Sequence, residues 1–502
     1  MPDVVEAMGD TRRVLGVAVP ERRVWWAMAA FAAVCIVLVG WSPQQRVGDA
    51  GEYMAMSWNI THFRPPALTE EDIVRLDQHL AELEPGLKDY RGSVPRLPSL
   101  WADGRYDMLH FWMYPLLASP FVGVANVLDV PDTYGFAAFN LLLVTLVFGI
   151  VLRRRGALAA VVLCCSPWWW WIDKPHTELL IVSMIVLALL WRHDRPRWGM
   201  AAMAVAMSQN ISIGPAFGIY CLAVAVEHRR ALVATARHWW VLAGVAAIAL
   251  VHPLYYFWRF GSYDATVAGV GQGLRIPTVT RMVTPIVDPY AGLLMWWPGL
   301  LAVAAVGGTV MAWRRVPRRR TAADWFVVWA PFLVAVAILF GQAQNKEPAA
   351  GGTFAMLRFA VWMSAFAVFG LHRDAFRGRV LRPLAVVIVA GSVALSLHVA
   401  RPSRPDVWYT VRPTWVADLL NEHAPWAWDP PPQVFLTRQW RMFTPIEPVA
   451  NDACTKLLGV SGRWPEMCDA PADVPADCAQ AWFCYANWNG DGWWFRAEDD
   501  IG

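Results

Sequence analysis

Long apolar stretches alternate with short arginine-rich segments up to about residue 400 of the chain. The first stretch runs from Val24 to Trp41. Further stretches lie at 110–128, 135–152, 157–172, 178–191, 198–226, 238–257, 291–313, 325–341, 357–371 and 383–399. Because roughly 20 helical residues cross a hydrocarbon core of about 30 Å, the longer stretches are predicted to be transmembrane helices. The pattern predicts an all-α polytopic membrane protein.

Arginine clusters predict how these helices are oriented. The clusters lie at 12–23, 153–155, 192–197, 229–230, 314–320 and 373–382. The positive-inside rule places such clusters in the cytoplasm. All of them share that side only if 110–128 is an interfacial or re-entrant segment that does not cross. In addition, 198–226 must be a hairpin of two short helices, broken at the polar segment 208–212. About 11 crossings follow, with the loop 42–107 exported.

This topology divides the chain into a cytoplasmic N-terminus at 1–23, a transmembrane domain at 24–399 and an exported C-terminal domain at 400–502. The last region is rich in Trp and Pro and contains four cysteines: Cys454, Cys468, Cys478 and Cys484. An even cysteine set in such a segment indicates disulfides and an oxidising compartment. Three pairings are possible, and reduced thiols are the alternative.

Composition excludes several other classes of protein. The chain of 502 residues is 57% hydrophobic and only 17% charged, whereas soluble domains carry roughly 25% charge. A net charge of +3 is too small for a nucleic-acid-binding protein. The sequence has no nucleotide-phosphate loop, His-Glu-x-x-His zinc site or paired CxxC. No metal site is assigned, although a divalent cation remains open.

The first exported loop begins with an acidic segment, Gly48-Asp49-Ala50-Gly51-Glu52-Tyr53. A carboxylate at a membrane surface is the group that removes a proton from an acceptor hydroxyl beside a lipid-borne leaving group. In a helix, Asp49 and Glu52 would share one face. The alternative is that Asp49 only caps an interfacial helix.

Further motifs follow in order on the predicted outer face. They are the aromatic segment 110–117, the acidic loop 173–178, the segment 288–294, and Gly351-Gly352-Thr353-Phe354 with Arg358-Phe359. With the acidic segment, they resemble the GT-C glycosyltransferase superfamily, in particular the branch of lipid A aminoarabinose transferases and protein O-mannosyltransferases. Two features depart from that pattern: Ala50-Gly51 separates the acids, and the hairpin tip at 208–215 lacks the family's lysine.

The resemblance implies an enzyme of the bacterial cytoplasmic membrane whose active site faces outward. Such an enzyme moves a sugar, usually with inversion, from a polyprenyl-phosphate donor to a glycan, lipid or protein acceptor. Asp49 would be the general base, with Glu52 beside it. The residues expected to bind the acceptor or sugar are Tyr53, Asp173, His176 and Glu178. For Asp173 and Glu178, a role in starting the helix at 178–191 is the alternative.

The departing phosphate gains negative charge, so fixed cations are expected on the outer face. The candidates are Lys174, Arg275, Arg281, Lys346 and Arg358. For each of them, the alternative is an interface anchor whose side chain snorkels to the membrane surface. A transporter or flippase of a lipid-linked substrate is the alternative function, and a non-catalytic assembly subunit is a third. A transporter would place its polar groups near the bilayer midplane, whereas these candidates lie in loops at one face.

Overall fold

The computed structural model describes most of the apolar helices and part of the C-terminal region. The described residues are 21–40, 49–83, 96–164, 166, 168–234, 239–270, 276–315, 321–344, 357–371, 376, 381–399, 414–429, 449–450, 454–469, 471, 473–481, 483–488 and 492–498. Two predicted site residues, Arg275 and Lys346, lie outside them.

Helices make up most of the described chain. In the first half they are α1 (Glu21–Gly40), α2 (Ala50–Thr61), α3 (Glu70–Leu83), α4 (Met113–Val127), α5 (Asp132–Arg155), α6 (Ala157–Cys164), α7 (Trp168–Trp171), α8 (Glu178–Trp191), α9 (Pro196–Gln209), α10 (Gly214–Ala234) and α11 (Trp239–Phe260). They continue as α12 (Ala265–Val270), α13 (Val279–Val287), α14 (Leu293–Trp296), α15 (Pro298–Arg315), α16 (Ala322–Gln342), α17 (Ala360–Gly370), α18 (Leu381–Val399), α19 (Trp415–His423) and α20 (Ala476–Gln480).

Five helical segments of the described chain are long and apolar enough to cross a membrane. They are Glu21–Gly40, Asp132–Arg155, Ile211–His228, Trp239–Gly269 and Ala322–Gln342. Other apolar helices, including α4, α8 and α17, have 10–17 residues. The prediction of about 11 crossings included stretches that the structure shortens or divides. The stretch 157–172, for example, becomes α6 with 8 residues and α7 with 4.

The predicted break within 198–226 is confirmed. Helix α9 ends at Gln209, and Asn210 has an extended backbone with φ −141° and ψ 111°. The Asn210 side-chain oxygen accepts a hydrogen bond from the Ser212 backbone N–H at 3.0 Å, and α10 begins at Gly214. Helix α9 packs against α8 and α11, whereas α10 packs against α16. The polar segment therefore separates two helices with different neighbours.

Helix α8 lies in the centre of the helical core. Nearly all of its side chains are buried, and it packs against α5, α9 and α17. The tryptophans of α7, just before it, are buried as well, and the Trp168 indole donates to Ser364 Oγ at 2.7 Å. These rings are part of the core. As a result, α8 begins in the protein interior, and its first residue, Glu178, is buried.

The first predicted exported loop folds against the start of the core. Helix α2 packs on α4, and α4 packs on α5. At the second contact, a Cβ added to Gly135 would lie 2.6 Å from Val122 Cα, so only glycine allows this close approach. Asn59 near the end of α2 donates to the backbone oxygens of Pro65 and Ala67, both at 3.1 Å. These contacts fix the position of α2.

The C-terminal region contains a four-stranded antiparallel sheet in the order β3–β4–β5–β6. After the short hairpin β1 (Trp101–Ala102) and β2 (Arg105–Tyr106), its strands are β3 (Val449–Ala450), β4 (Lys456–Val460), β5 (Phe483–Trp488) and β6 (Trp493–Glu498). Cys454 pairs with Cys468, and Cys478 pairs with Cys484. Of the three possible pairings, the structure thus contains the one between cysteines that are neighbours in sequence.

Candidate active site

Asp49 is the residue immediately before α2. Its side chain makes no capping hydrogen bond to that helix. The carboxylate instead points toward Arg358, whose Nη1 lies 2.5 Å from Asp49 Oδ2 although 309 residues separate the two in sequence. The alternative in which Asp49 only caps α2 therefore does not describe this arrangement.

Arg358 joins two parts of the molecule. Besides its contact with Asp49, its Nε lies 2.6 Å from Glu178 Oε1 at the start of α8. Arg358 and Glu178 are buried, whereas the Asp49 side chain is 25% exposed. The contact with Asp49 is a charge-assisted hydrogen bond, which is the stronger class of hydrogen bond, and the contact with Glu178 is an ion pair. A guanidinium thus holds two predicted site carboxylates together beside an opening at Asp49.

His110 extends this group to Glu52. Its Nε2 lies 3.2 Å from Asp49 Oδ2, and its Nδ1 lies 3.2 Å from Glu52 Oε2. The His110 backbone N–H also donates to Glu52 at 3.2 Å. Both ring nitrogens therefore face carboxylate oxygens, an arrangement that favours the imidazolium form of the ring.

The pKa of His110 reflects the same contacts. Burial alone would lower it, but the charges of Asp49 and Glu52 outweigh burial and raise the pKa of His110 to about 9. His110 is not among the site residues predicted from the sequence, where it is the first residue of the aromatic segment 110–117. The signal available was a histidine at a predicted membrane surface.

The pKa of Asp49 moves in the opposite direction to what burial would give. Burial raises it, but the positive charges of His110 and Arg358 prevail, aided by His176, and hold the pKa of Asp49 well below its usual range. A carboxylate with so low a pKa is a weak base. In this state Asp49 forms ion pairs with the neighbouring cations and has little tendency to accept a proton.

His176 and Tyr53 close the inner side of the site. His176 Nε2 lies 3.5 Å from Asp49 Oδ2, and its Nδ1 lies 3.3 Å from Glu178 Oε2. The buried Tyr53 ring packs edge-on against His110 and His176, with ring centroids 5.5 and 5.4 Å apart. We call the set Asp49, Glu52, His110, His176, Glu178 and Arg358 the charged cluster, and Tyr53 forms its floor.

Asp173 and Lys174 form a separate ion pair. Lys174 Nζ lies 2.6 Å from Asp173 Oδ1 and 4.3 Å from the centroid of the Trp170 ring, and both charged side chains are fully buried. Burial raises the pKa of the Asp173 carboxyl, and the Lys174 charge offsets this only in part. Asn140 donates to the Lys174 backbone oxygen at 2.9 Å. In this arrangement the pair fixes the loop before α8, and Lys174 is inaccessible to a phosphate.

Among the predicted cations that the structure describes, Arg358 is the one that contacts Asp49. Arg281 lies in α13, whose N-terminal cap is Thr278 and which packs against α14 and α16. Nothing places Arg275 or Lys346, because both fall outside the described residues.

Three side chains of the charged cluster carry atoms that could bind a metal ion. Asp49, Glu52 and His110 each offer one ligand atom, and these atoms lie within 4.8 Å of one another. Arg358 already occupies Asp49 Oδ2, and both nitrogens of His110 face carboxylates. A metal would have to displace the guanidinium and remove a proton from the ring, since ligating histidine is neutral. The donor set therefore does not fit a resident metal.

Comparisons of the chain with protein-family models, with curated proteins and with solved structures find no match. The fold and the site define a class directly. The described chain is mostly helical, has five segments long and apolar enough to cross a membrane, and carries a charged, partly exposed cluster at the N-terminal ends of α2, α8 and α17. The function has to be argued from the chemistry of that cluster.

Proposed function

We propose that the chain is an integral membrane glycosyltransferase of the GT-C type. It transfers a sugar from a polyprenyl-phosphate donor to an acceptor on the exported face, with Asp49 as general base. The observation that carries this proposal is the contact of Arg358 with Asp49 at 2.5 Å and with Glu178 at 2.6 Å. It supports a single site built from the acidic segment after α1, the acidic loop before α8 and the arginine before α17.

The electrostatics of the charged cluster suit a phosphate. Three helices begin there, and the N-terminal end of a helix carries partial positive charge and free N–H groups. Arg358 and the His110 imidazolium add two full positive charges. Both cations contact Asp49. Of the two carboxylates that pair with Arg358, Asp49 is the more exposed. A phosphate entering on that side meets both of them.

The proposed reaction breaks one bond and forms another at the anomeric carbon of the donor. The acceptor hydroxyl oxygen attacks that carbon, the bond from the carbon to the phosphate oxygen breaks, and the phosphate leaves with the electron pair. The acceptor proton passes to Asp49. Attack from the side opposite the phosphate inverts the configuration.

Donor binding would make Asp49 a better base. In the unliganded site, His110 and Arg358 keep its pKa well below the usual range. A phosphate that engages the same two cations weakens their hold on Asp49, and the pKa of Asp49 rises toward the working pH. Glu52, which binds the backbone N–H and Nδ1 of His110, keeps the ring in place meanwhile. The base then becomes active only when a donor is present.

The proposed topology has the N-terminus in the cytoplasm, about 11 crossings and the C-terminal domain outside, in a bacterial cytoplasmic membrane. The two disulfides of the C-terminal region support an oxidising compartment. The position of the charged cluster at helix ends favours an enzyme over a transporter or flippase, which would hold its substrate at polar groups midway along the helices.

The test uses the full chain in nanodiscs with labelled polyprenyl-phosphate sugars and a panel of glycan, lipid and peptide acceptors. We expect Asp49→Asn to lower sugar transfer by at least about 100-fold, the lower range for a general base. Asp194→Asn is the matched control, because Asp194 is half exposed beyond the other end of α8, where it pairs with Arg154. Unchanged transfer by Asp49→Asn would remove the proposed base. Transport of a lipid-linked substrate without transfer would favour the alternative.

A further inference from the structure

The segment 414–429 binds one turn of the membrane domain through three side chains. The Trp428 indole Nε1 donates to Asp288 Oδ2 at 2.9 Å. Asn421 Oδ1 accepts a hydrogen bond from the Tyr290 hydroxyl, and the Thr414 hydroxyl donates to the Pro289 backbone oxygen. All three contacts therefore fall on three successive residues.

These side chains contact the turn 288–292, whose backbone conformation is held by hydrogen bonds to Asp288 and by a glycine. Asp288 is fully buried, and its Oδ1 accepts from the backbone N–H groups of Tyr290 and Ala291, both at 2.8 Å. A Cβ on Gly292 would lie 2.5 Å from the Asp288 backbone nitrogen, so only glycine permits this turn. One carboxylate thus organises the turn with one oxygen and binds Trp428 with the other.

The 288–292 turn also forms a hydrogen bond with Leu357, the residue before Arg358. The Leu357 backbone N–H donates to the Ala291 backbone oxygen at 2.9 Å. Arg358 follows directly, and its guanidinium contacts Asp49 and Glu178. A continuous set of hydrogen bonds therefore runs from Trp428 through Asp288 and Ala291 to the backbone beside Arg358.

Trp428 is itself held from the side of the C-terminal sheet. Lys456 at the start of β4 is fully buried and donates to the backbone oxygens of Trp428 at 2.8 Å and of Pro425 at 2.6 Å. The same ammonium contacts Asp429 and Asn487 at 2.7 and 2.8 Å. The indole is thus presented to Asp288 by a buried framework.

We infer that Trp428 and Asp288 are positioning residues of the charged cluster, through which the C-terminal domain sets the location of Arg358. The C-terminal domain is then part of the framework that holds the site. The effect on sugar transfer rests on the proposed function, whereas the effect on the 288–292 turn does not.

The test substitutes Trp428→Phe, which keeps an aromatic ring and removes the indole donor. Trp426→Phe is the matched control, since Trp426 is 56% exposed and lies two positions away. Asp288→Asn is a second variant, which keeps an acceptor for the turn and places an amide where Trp428 donates. The first readout is hydrogen–deuterium exchange of peptides covering 288–292 and 357–362 in the full chain. The second is transfer from a polyprenyl-phosphate sugar, alone and combined with Arg358→Lys.

We expect faster exchange at both peptides in Trp428→Phe and Asp288→Asn, and wild-type exchange in Trp426→Phe. Transfer should fall about tenfold in the first two variants, and Trp428→Phe should add little once Arg358 is already Lys, because coupled sites are not additive. Wild-type exchange in both variants, or a loss of transfer that adds fully to that of Arg358→Lys, would overturn the inference. If the wild type transfers no sugar while exchange responds as expected, the proposed function fails and the positioning role stands.

Discussion

Two ion pairs near His176 differ in what surrounds them. Arg358 and Asp49 meet beside an opening, with the Asp49 side chain 25% exposed. Lys174 and Asp173 meet in the interior, both 0% exposed, under the Trp170 ring. Sequence analysis treated both cations alike, as candidates for binding phosphate. The difference in burial distinguishes the roles of the two pairs. The buried pair stabilises the fold, whereas the cation of the partly exposed pair can leave its carboxylate and bind a substrate.

The largest effect on folding is expected from breaking the buried pair. Lys174→Met leaves the Asp173 carboxylate in the interior without its cation, which lowers the free energy of unfolding by about 3–5 kcal/mol. Thermal unfolding in detergent measures this change. Arg75→Met is the control, because Arg75 and Glu71 form an exposed pair that contributes less than about 1 kcal/mol. Equal stability of the two variants would show that the Lys174 pair is not structural.

A large effect on activity with a small effect on stability is expected at the open pair. Arg358→Lys keeps a positive charge but cannot bridge Asp49 and Glu178 with two nitrogens of a planar fork. Transfer should fall about 100-fold, with thermal unfolding near that of the wild type. Arg154→Lys serves as control, since Arg154 binds Asp194 at the other end of α8. Transfer at the wild-type rate by Arg358→Lys would contradict the role given to this cation.

A smaller effect, which depends on pH, is expected at His110. Its pKa is about 9 in the folded protein against an ordinary value of 6.5. A raised pKa stabilises the fold fully below about pH 6.5, and this stabilisation is lost as the pH rises through 9. The wild type should therefore unfold at a higher temperature than His110→Asn at pH 6, and the difference should shrink by pH 9.5.

The control for this titration is His423→Asn, because the His423 side chain is 62% exposed. Its unfolding temperature should follow that of the wild type at every pH. A difference between the wild type and His110→Asn that stays constant from pH 6 to about pH 10 would mean that the ring does not bridge two carboxylates.

Much of the helical pattern could be predicted from the sequence, because apolar stretches and polar breaks are local features. The break at Asn210 is an example. The bounds of the helices could not be predicted in the same way, since 157–172 has the composition of one long helix but divides into α6 and α7. Apolar content alone does not distinguish a membrane span from a short helix packed within a core.

The site was predicted in part. Asp49, Glu52, Glu178 and Arg358 were selected by charge and position, and the structure brings them together. His110 was missed because its role depends on a loop of more than fifty residues folding back onto Glu52, as the sequence separation of 58 indicates. The burial of Lys174 was not predicted either. The sequence shows tryptophans at 168–171 just before Lys174 but does not show that the Trp170 ring covers its ammonium.

The central claim is that a donor phosphate takes Arg358 from Asp49. The most direct measurement is a cryo-electron microscopy map of the wild-type protein in nanodiscs with a polyprenyl-phosphate sugar and no acceptor. We predict phosphate density at hydrogen-bonding distance, about 3 Å, from the Arg358 guanidinium, with the anomeric carbon on the side of residue 49. Phosphate density at the opposite end of α8 beside Arg154, with the Arg358 side chain still directed only at Glu178 and residue 49, would contradict it.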